Sequence, residues 1–357
     1  QGGYLIGKPK LLKNLTYEFL QSVDGYFVEI KIKKVGVHYK FPLMSKKKTT
    51  RNFTNDMVNE IINVDKCSLE DLIEFQDVEF EIIRGYYYDE GRDDTILKVI
   101  EHLFNTRKIK KKEKNPIETV FKLLMNASYG KTLLKPFNTE TKYISNSKVN
   151  DFLYRNYSFI NKVTPLFNGT FKVVVNKSIN EHFNNCHIGI EVLSMSKRIM
   201  NQVMCLAEQN KLNMYYQDTD SIHIDTKSVS VLSDLFKEKY NRDLIGDNMG
   251  QFHTDFDSKK LKGSLKSVES IYLGKKCYID VLKGSESGEL IDYHIRMKGI
   301  SGASIAYRAK GNNCSILDLY KKLHKGDKVK FDLACGGEKC CFDFKDNMTI
   351  SSLTNFY

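Results

Sequence analysis

The chain has 357 residues, of which 41% are hydrophobic, so it can build two or three packed subdomains and is too apolar for a disordered tail. Its net charge of +11, carried mainly by lysine, favours a polyanionic partner without separating nucleic acid from a membrane surface. No apolar run approaches the roughly 18 residues of a membrane-spanning helix, and no signal pattern opens the chain.

The chain starts with Gln1-Gly2-Gly3 rather than Met, which reads as a piece of a longer protein. Residues 26–35 (YFVEIKIKKV) alternate apolar and polar side chains and predict a half-buried strand. Lys46, Lys47, Lys48 and Arg51 form a basic run, either a solvated loop or a phosphate contact. Short helix and turn signals alternate over residues 55–75, and VEFEIIRGYYY (78–88) predicts another strand, closed by turn residues 89–94.

Residues 95–112 predict a helix with Arg107, Lys108, Lys110, Lys111 and Lys112 loading its end. Asn115-Pro116 breaks it, and Pro116 suits the first turn of a second helix reaching about Tyr129. That helix has an apolar stripe of Ile117, Val120, Phe121 and Leu124, whereas Lys122, Asn126 and Tyr129 cluster on nearly the opposite side. An ordinary solvated face would carry Glu/Lys pairs there. Residues 133–185 read as an insertion of short strands and loops, and 188–209 as another helix.

Next comes YYQDTDSIHID, residues 215–225, with Asp218 and Asp220 two positions apart between strand-like flanks. On a strand an i, i+2 pair shares a face, and two carboxylates that close repel each other unless a cation sits between them. Mg²⁺ takes carboxylate oxygens together with substrate phosphates. The alternative is a tight Asp-Thr-Asp turn in an ordinary hairpin. Residues 229–240 predict a helix, then Tyr272–Val281 and Leu290–Met297 a strand pair around the Gly284–Gly288 turn. A helix at 316–324 and a short strand at 329–333 close the chain. With no repeat and no flexible linker, the lobes are expected to interleave around one sheet.

Eight cysteines include no C-x-x-C pair, which predicts free thiols in a reducing intracellular compartment. The CGGEKCC stretch at 335–341 suggests zinc as an alternative but lacks a second ligand pair.

Taken in order, the motifs resemble those of family B DNA polymerases. Lys122 to Gly130 (KLLMNASYG) resembles the fingers motif K-x-x-x-N-S-x-Y-G, with Ala127 where the family usually has Ser. Tyr216 to Ser221 resembles the palm motif Y-x-D-T-D-S, Lys276-Cys277-Tyr278 the K-x-Y motif, and Lys298-Gly299-Ile300 the step into the thumb. Phrases such as LLMNASYGKT, SMSKRIM and GKKCYID are similar to the protein-primed branch of viral, organellar, linear-plasmid and transposon enzymes, and the resemblance covers nearly the whole chain.

The resemblance implies an α+β right-hand fold of palm, fingers and thumb with a mainly antiparallel palm sheet. The implied divisions are 1–94 palm part with a basic insertion, 95–132 fingers, 133–187 insertion, 188–297 palm with the metal hairpin, and 298–357 thumb. It implies template-directed nucleotidyl transfer with two Mg²⁺ ions, replaceable by Mn²⁺, held by Asp218 and Asp220. Lys122, Asn126 and Tyr129, with Arg107 or Lys110, would bind the nucleotide. Tyr216, Thr219, Ser221, Lys276, Tyr278 and Lys298 would line the primer side. The implied partners are a DNA template-primer, deoxynucleoside triphosphates, a terminal priming protein and an upstream polymerase/exonuclease segment, with no membrane. The family's D-x-x-S-L-Y-P motif, bearing a further metal-binding aspartate, does not occur in these residues and is expected upstream; Asp24-Gly25-Tyr26 is the nearest substitute. Two rival readings are a non-catalytic nucleic-acid-binding remnant and an RNA polymerase or reverse transcriptase. The latter palms carry a different carboxylate motif and lack the Lys122-to-Gly130 helix at this spacing.

Overall fold

The structure is a computed structural model that describes residues 3–47, 51–134, 137–178, 184–331, 340–344 and 350–354. It divides into two compact units, Gln1–Asn201 and Gln202–Tyr357.

The first unit opens with β1 (Tyr4–Leu5), β2 (Lys10–Leu11), α1 (Tyr17–Gln21), β3 (Gly25–Val35), β4 (Ser45–Lys47), β5 (Arg51–Phe53) and β6 (Ile61–Asp65). Then come α2 (Lys66–Gln76), β7 (Val78–Tyr88) and β8 (Arg92–Asp93). Its main sheet is antiparallel, in the order β2-β7-β3-β6. The strands at 26–35 and 78–88 form as the alternation predicts, because Tyr26, Val28, Ile30 and Ile32 all point to one face and are buried there. Leu69 and Leu72 of α2 join them in a core with Leu20, Met57 and Ile82. Gly85 on β7 is needed for close approach, since a Cβ there would lie 2.5 Å from the Phe27 carbonyl oxygen. Asp65 caps α2 by accepting from the Ser68 amide.

Two helices follow, α3 (Thr95–Lys112) and α4 (Glu118–Thr132), with Pro116 in the turn just ahead of α4. They pair with each other, tied by Arg107 Nε to Glu118 Oε2 at 3.1 Å. Neither has a fully buried residue, and Val120 and Leu124 of the expected core stripe remain 50% exposed. The stretch expected to hold only strands and loops carries β9 (Thr139–Ser145), α5 (Asn146–Asn156), β10 (Ile160–Pro165) and β11 (Thr170–Asn176). Helix α5 forms because Val149, Phe152 and Leu153, at i, i+3 and i+4, pack on Val173 and Val175 of the three-stranded sheet β10-β11-β9.

The long helix α6 (Cys186–Gln209) is bound to α2 by a part-buried ionic cluster. Arg198 donates to Asp71 (2.6 Å), Glu70 (2.9 Å) and the Cys67 carbonyl (2.6 Å), while Asn201 donates to the other Asp71 oxygen (2.8 Å). Ser194 donates to Asp65 at 2.8 Å.

In the second unit, β12 (Met214–Asp218) and β13 (Ser221–Ile224) make a hairpin that packs, with α7 (Thr226–Tyr240), on Val203, Leu206 and Ala207 at the end of α6. Then β14 (Leu265–Gly274), β15 (Cys277–Gly284) and β16 (Asp292–Met297) form an antiparallel sheet. Helices α8 (Gly302–Gly311) and α9 (Ile316–His324), the latter with a Ser315/Asp318 capping box, cover one face through Ile305, Leu319 and Tyr320 on Ile279. Strands β17 (Cys340–Phe344) and β18 (Ile350–Thr354) pair last.

The elements are therefore organised on several separate antiparallel sheets and not on one. The strand expected at 272–281 is broken by a two-residue turn, Lys275-Lys276, with Lys276 at φ +56 after Gly274. Residues 329–331 form no strand, and 332–333 lie outside the described residues, as do Lys48 and Cys335. The basic run expected as a loop instead begins in strand β4, paired with β5, and Lys46 there is half-buried and pairs with Asp56 (3.2 Å) and Glu60 (3.0 Å). Among the described residues Cys67, Cys186, Cys205, Cys277 and Cys314 form no disulfide, and no helix is long and apolar enough to cross a membrane.

Candidate active site

Asp218 is the last residue of β12 and pairs with Ser221, the first of β13, so Thr219 and Asp220 are the two loop residues of a tight hairpin. The shared-face strand geometry expected for the two aspartates is thus replaced by a turn that places both at one tip. The Asp220 amide closes that tip on the Asp218 carbonyl at 2.6 Å. Thr219 has φ +51, a conformation that a β-branched residue rarely adopts. Its hydroxyl donates to Asp218 Oδ1 at 3.1 Å, and that of Ser221 to the Asp218 carbonyl at 3.0 Å.

Lys276 reaches this tip from the β14–β15 turn. Its Nζ donates to Asp218 Oδ2 at 2.7 Å, with 51% of its side chain and 21% of the aspartate's exposed. The ammonium holds the Asp218 carboxyl below the usual carboxylate range, against partial burial and with help from Thr219. The Lys276 amide donates to the Tyr216 hydroxyl at 2.8 Å, and the Lys298 amide to the Lys276 carbonyl at 3.0 Å. The structure therefore brings Asp218, Asp220, Tyr216, Thr219, Ser221, Lys276 and Lys298 together. Tyr278 joins them from below: only 8% exposed, its ring packs on Tyr216 at 4.9 Å and His223 at 5.1 Å.

Beneath the hairpin lies a cluster that the motifs did not indicate. The Tyr216 and Tyr272 rings are parallel within 6°, with centroids 5.6 Å apart. Asp280, fully buried, sits at the centre of the sheet opposite Ser270 on β14 and His294 on β16. Its Oδ1 accepts from Ser270 (2.7 Å) and Tyr272 (3.4 Å), and its Oδ2 lies 3.1 Å from His294 Nδ1. His223 Nδ1, from the carboxylate hairpin, lies 3.0 Å from the Tyr272 hydroxyl and 3.7 Å from Asp280 Oδ1. Burial alone would raise the Asp280 carboxyl, but bonds from His223, His294 and Ser270 outweigh it and hold the group well below the carboxylate range. Burial pushes the Tyr272 hydroxyl up to about 12, so it stays protonated and able to donate. The available signal was a lone acid in the apolar run Tyr278-Ile279-Asp280-Val281-Leu282, in phase with Tyr278.

The predicted nucleotide-side residues lie on the α3–α4 pair of the first unit. Lys122 and Asn126 are exposed on α4 and Tyr129 is half-buried. Arg107 is committed to Glu118, and Lys110 pairs with Glu113 at 2.8 Å. Asp24 accepts from the Gly91 amide, and Tyr26 is buried in the first unit's core.

A model of DNA polymerase type B, organellar and viral, matches residues 6–201, more than half of the chain. The chain belongs to that family. No curated protein sequence matches it. Among solved structures, Phi29 DNA polymerase complexed with primer-template DNA matches at TM-score 0.57 and 14% identity, over 98% of this chain and 53% of that one. Its complex with primer-template DNA and incoming nucleotide substrates matches at 0.58 and 14%, over 99% and 54%. At such identity the likeness shows the fold, with its antiparallel sheets, and this type B polymerase chain spans about half the length of those structures. The family match includes the Lys122–Gly130 motif and ends before the carboxylate hairpin.

Proposed function

We propose that the chain is the nucleotidyl-transfer portion of a DNA-directed DNA polymerase of the protein-primed type, acting on a DNA template-primer and deoxynucleoside triphosphates. The observation that carries this reading is the hairpin tip, where Asp218 and Asp220 meet a lysine presented by a second hairpin. Two oxygen-donor side chains at one exposed turn suit Mg²⁺ or Mn²⁺, and they supply part of a coordination shell. When bound, such ions polarise the attacking 3′-hydroxyl and the leaving phosphate oxygen.

The remaining roles belong to this chain's own groups. Asp220, exposed and without a side-chain hydrogen bond among the described residues, would be the direct metal ligand, and Asp218 would support it. Lys276 offers its ammonium to the primer's terminal phosphate once released from Asp218, and Lys298 lies next along that backbone track. Lys122 supplies charge to the triphosphate, with Asn126 and Tyr129 lining the nucleotide pocket. Arg107 and Lys110 assist only after exchanging their present glutamate partners. In proposed domain terms, residues 95–132 are fingers, 133–187 the insertion, 188–297 palm and 298–357 thumb, with 1–94 a palm part and insertion. A terminal protein would prime synthesis, and an upstream segment would carry the further carboxylate and the exonuclease.

A second reading is a nucleic-acid-binding module without turnover. It draws on the absence, among the described residues, of any group of three side chains able to hold a metal. Primer extension by the purified chain with Mg²⁺, alone and supplemented with an upstream segment bearing D-x-x-S-L-Y-P, separates the two. Extension in either arm supports the polymerase; DNA binding with no extension in both supports the module.

A further inference from the structure

The sheet β14-β15-β16 has two faces with different partners. Odd-numbered Ile271, Ile279 and Ile295 pack against the cluster of α8 and α9, whereas even-numbered Ser270, Tyr272, Tyr278, Asp280 and His294 lie on the other. That second face meets the carboxylate hairpin through the rings of Tyr216 and His223. A buried carboxylate at its centre is costly unless it is fully bonded, and an apolar residue would fill the position at lower cost. Asp280 nevertheless stands there, and its partners come from three strands: Ser270 and Tyr272 on β14, His294 on β16 and His223 on β13.

We infer that Asp280 is a positioning residue that fixes Lys276 over the catalytic hairpin, acting through Tyr272 and His223. The Tyr272 hydroxyl lies 3.4 Å from Asp280 Oδ1 and 3.0 Å from His223 Nδ1, so it bridges the acid and the imidazole. This fixes the plane of Tyr272, on which the Tyr216 ring is stacked, and the rotamer of His223, which faces Tyr216 across β12–β13. Tyr216 in turn accepts the Lys276 amide. The amide anchors a turn residue at φ +56, a conformation unfavourable for lysine without a bond to hold it. From that anchor the Lys276 ammonium reaches Asp218. Ser270 also bonds Asp280, at 2.7 Å, and its hydroxyl touches Tyr272 as well, but it bonds neither Tyr216 nor His223, and without it Tyr272 keeps both Asp280 and His223 as partners.

The inference rests on the polymerase reading only for its consequence at the primer. Its test is hydrogen–deuterium exchange of the segment containing the Lys276 amide, in the DNA-free protein, for Asp280→Asn, Tyr272→Phe and Ser270→Ala. Asp280→Asn and Tyr272→Phe are expected to speed exchange of that segment by about 3- to 10-fold, the worth of one hydrogen bond, and Ser270→Ala to speed it less than Tyr272→Phe does. Exchange across Ile279–Val281 should stay at the wild-type rate in Tyr272→Phe, which separates a local release from loosening of the whole sheet. Equal acceleration in Tyr272→Phe and Ser270→Ala, or none in Tyr272→Phe, would overturn the inference. The comparison of those two variants stands even if Asp280→Asn fails to fold. Primer-template affinity by fluorescence anisotropy forms the second arm, with the same order of variants expected. The predicted exchange pattern in a chain that does not bind primer-template would remove the polymerase reading and leave the positioning role of Asp280 intact.

Discussion

Asp220 and Lys122 were both marked by their motifs, and their roles separate in the measurements they should move. Asp220→Ala is expected to reduce extension to background while primer-template affinity stays near wild type, because its carboxylate is proposed to serve metal and not phosphate; primer extension and anisotropy together check this. On the proposed role, Lys122→Ala would lose a charge-assisted phosphate bond of about 1.5–3 kcal/mol, so the nucleotide KM should rise roughly 10- to 150-fold with DNA affinity little changed. Asp280 titrates differently. Its folded pKa is depressed, so its contribution to stability is present in full above the ordinary carboxylate value of about 4 and is lost as pH falls through the lower folded value. Urea midpoints followed from pH 6 down to about 2 should therefore fall less steeply in Asp280→Asn than in wild type. The hairpin residues were legible because the two carboxylates are neighbours in the chain. Asp280 was not, because its bonding partners are scattered from His223 to His294 and no local spacing reports a bond between strands.

Among elements, β3, β7 and α3 appear where period and breaker residues put them, since each has one continuous apolar face or a plain stop signal. Helix α5 was hidden by its asparagines, which signal a turn until Val149 and Phe152 find a sheet to cover. The turn at Lys275-Lys276 was hidden because lysine is an unusual residue at positive φ. Thr219 carries a related strain of about 1–3 kcal/mol. Thr219→Gly should raise the thermal midpoint of the protein even as loss of its hydroxyl on Asp218 lowers extension. The tie between α2 and α6 is stiffer. Arg198→Ala leaves Asp71, only 3% exposed, buried beside no cation, and should cost about 3–5 kcal/mol in urea unfolding. Replacing both partners with apolar residues of similar volume should recover most of that loss.

At the scale of the molecule, the excess of positive charge predicts that DNA affinity falls linearly on a log–log plot against salt, with a slope of roughly −0.9 per neutralised phosphate. Membership of the type B family was legible because its motifs fall in order along the chain, and the likeness to Phi29 polymerase persists at 14% identity. The separation into several sheets was not legible, since strand periodicity says which face is apolar and nothing about which strand is the neighbour. The two-faced sheet of the second unit also governs how the gene can change length. Inserting one residue between Ile279 and Asp280 would turn every later side chain of β15 over, sending the acid toward the helices and Val281 toward the histidines. No neighbouring loop could absorb that change. A codon added after Gly288, where the chain is exposed and open, costs only loop entropy. Insertions and deletions among relatives should therefore collect in the turn at 285–290 and be missing from 277–283.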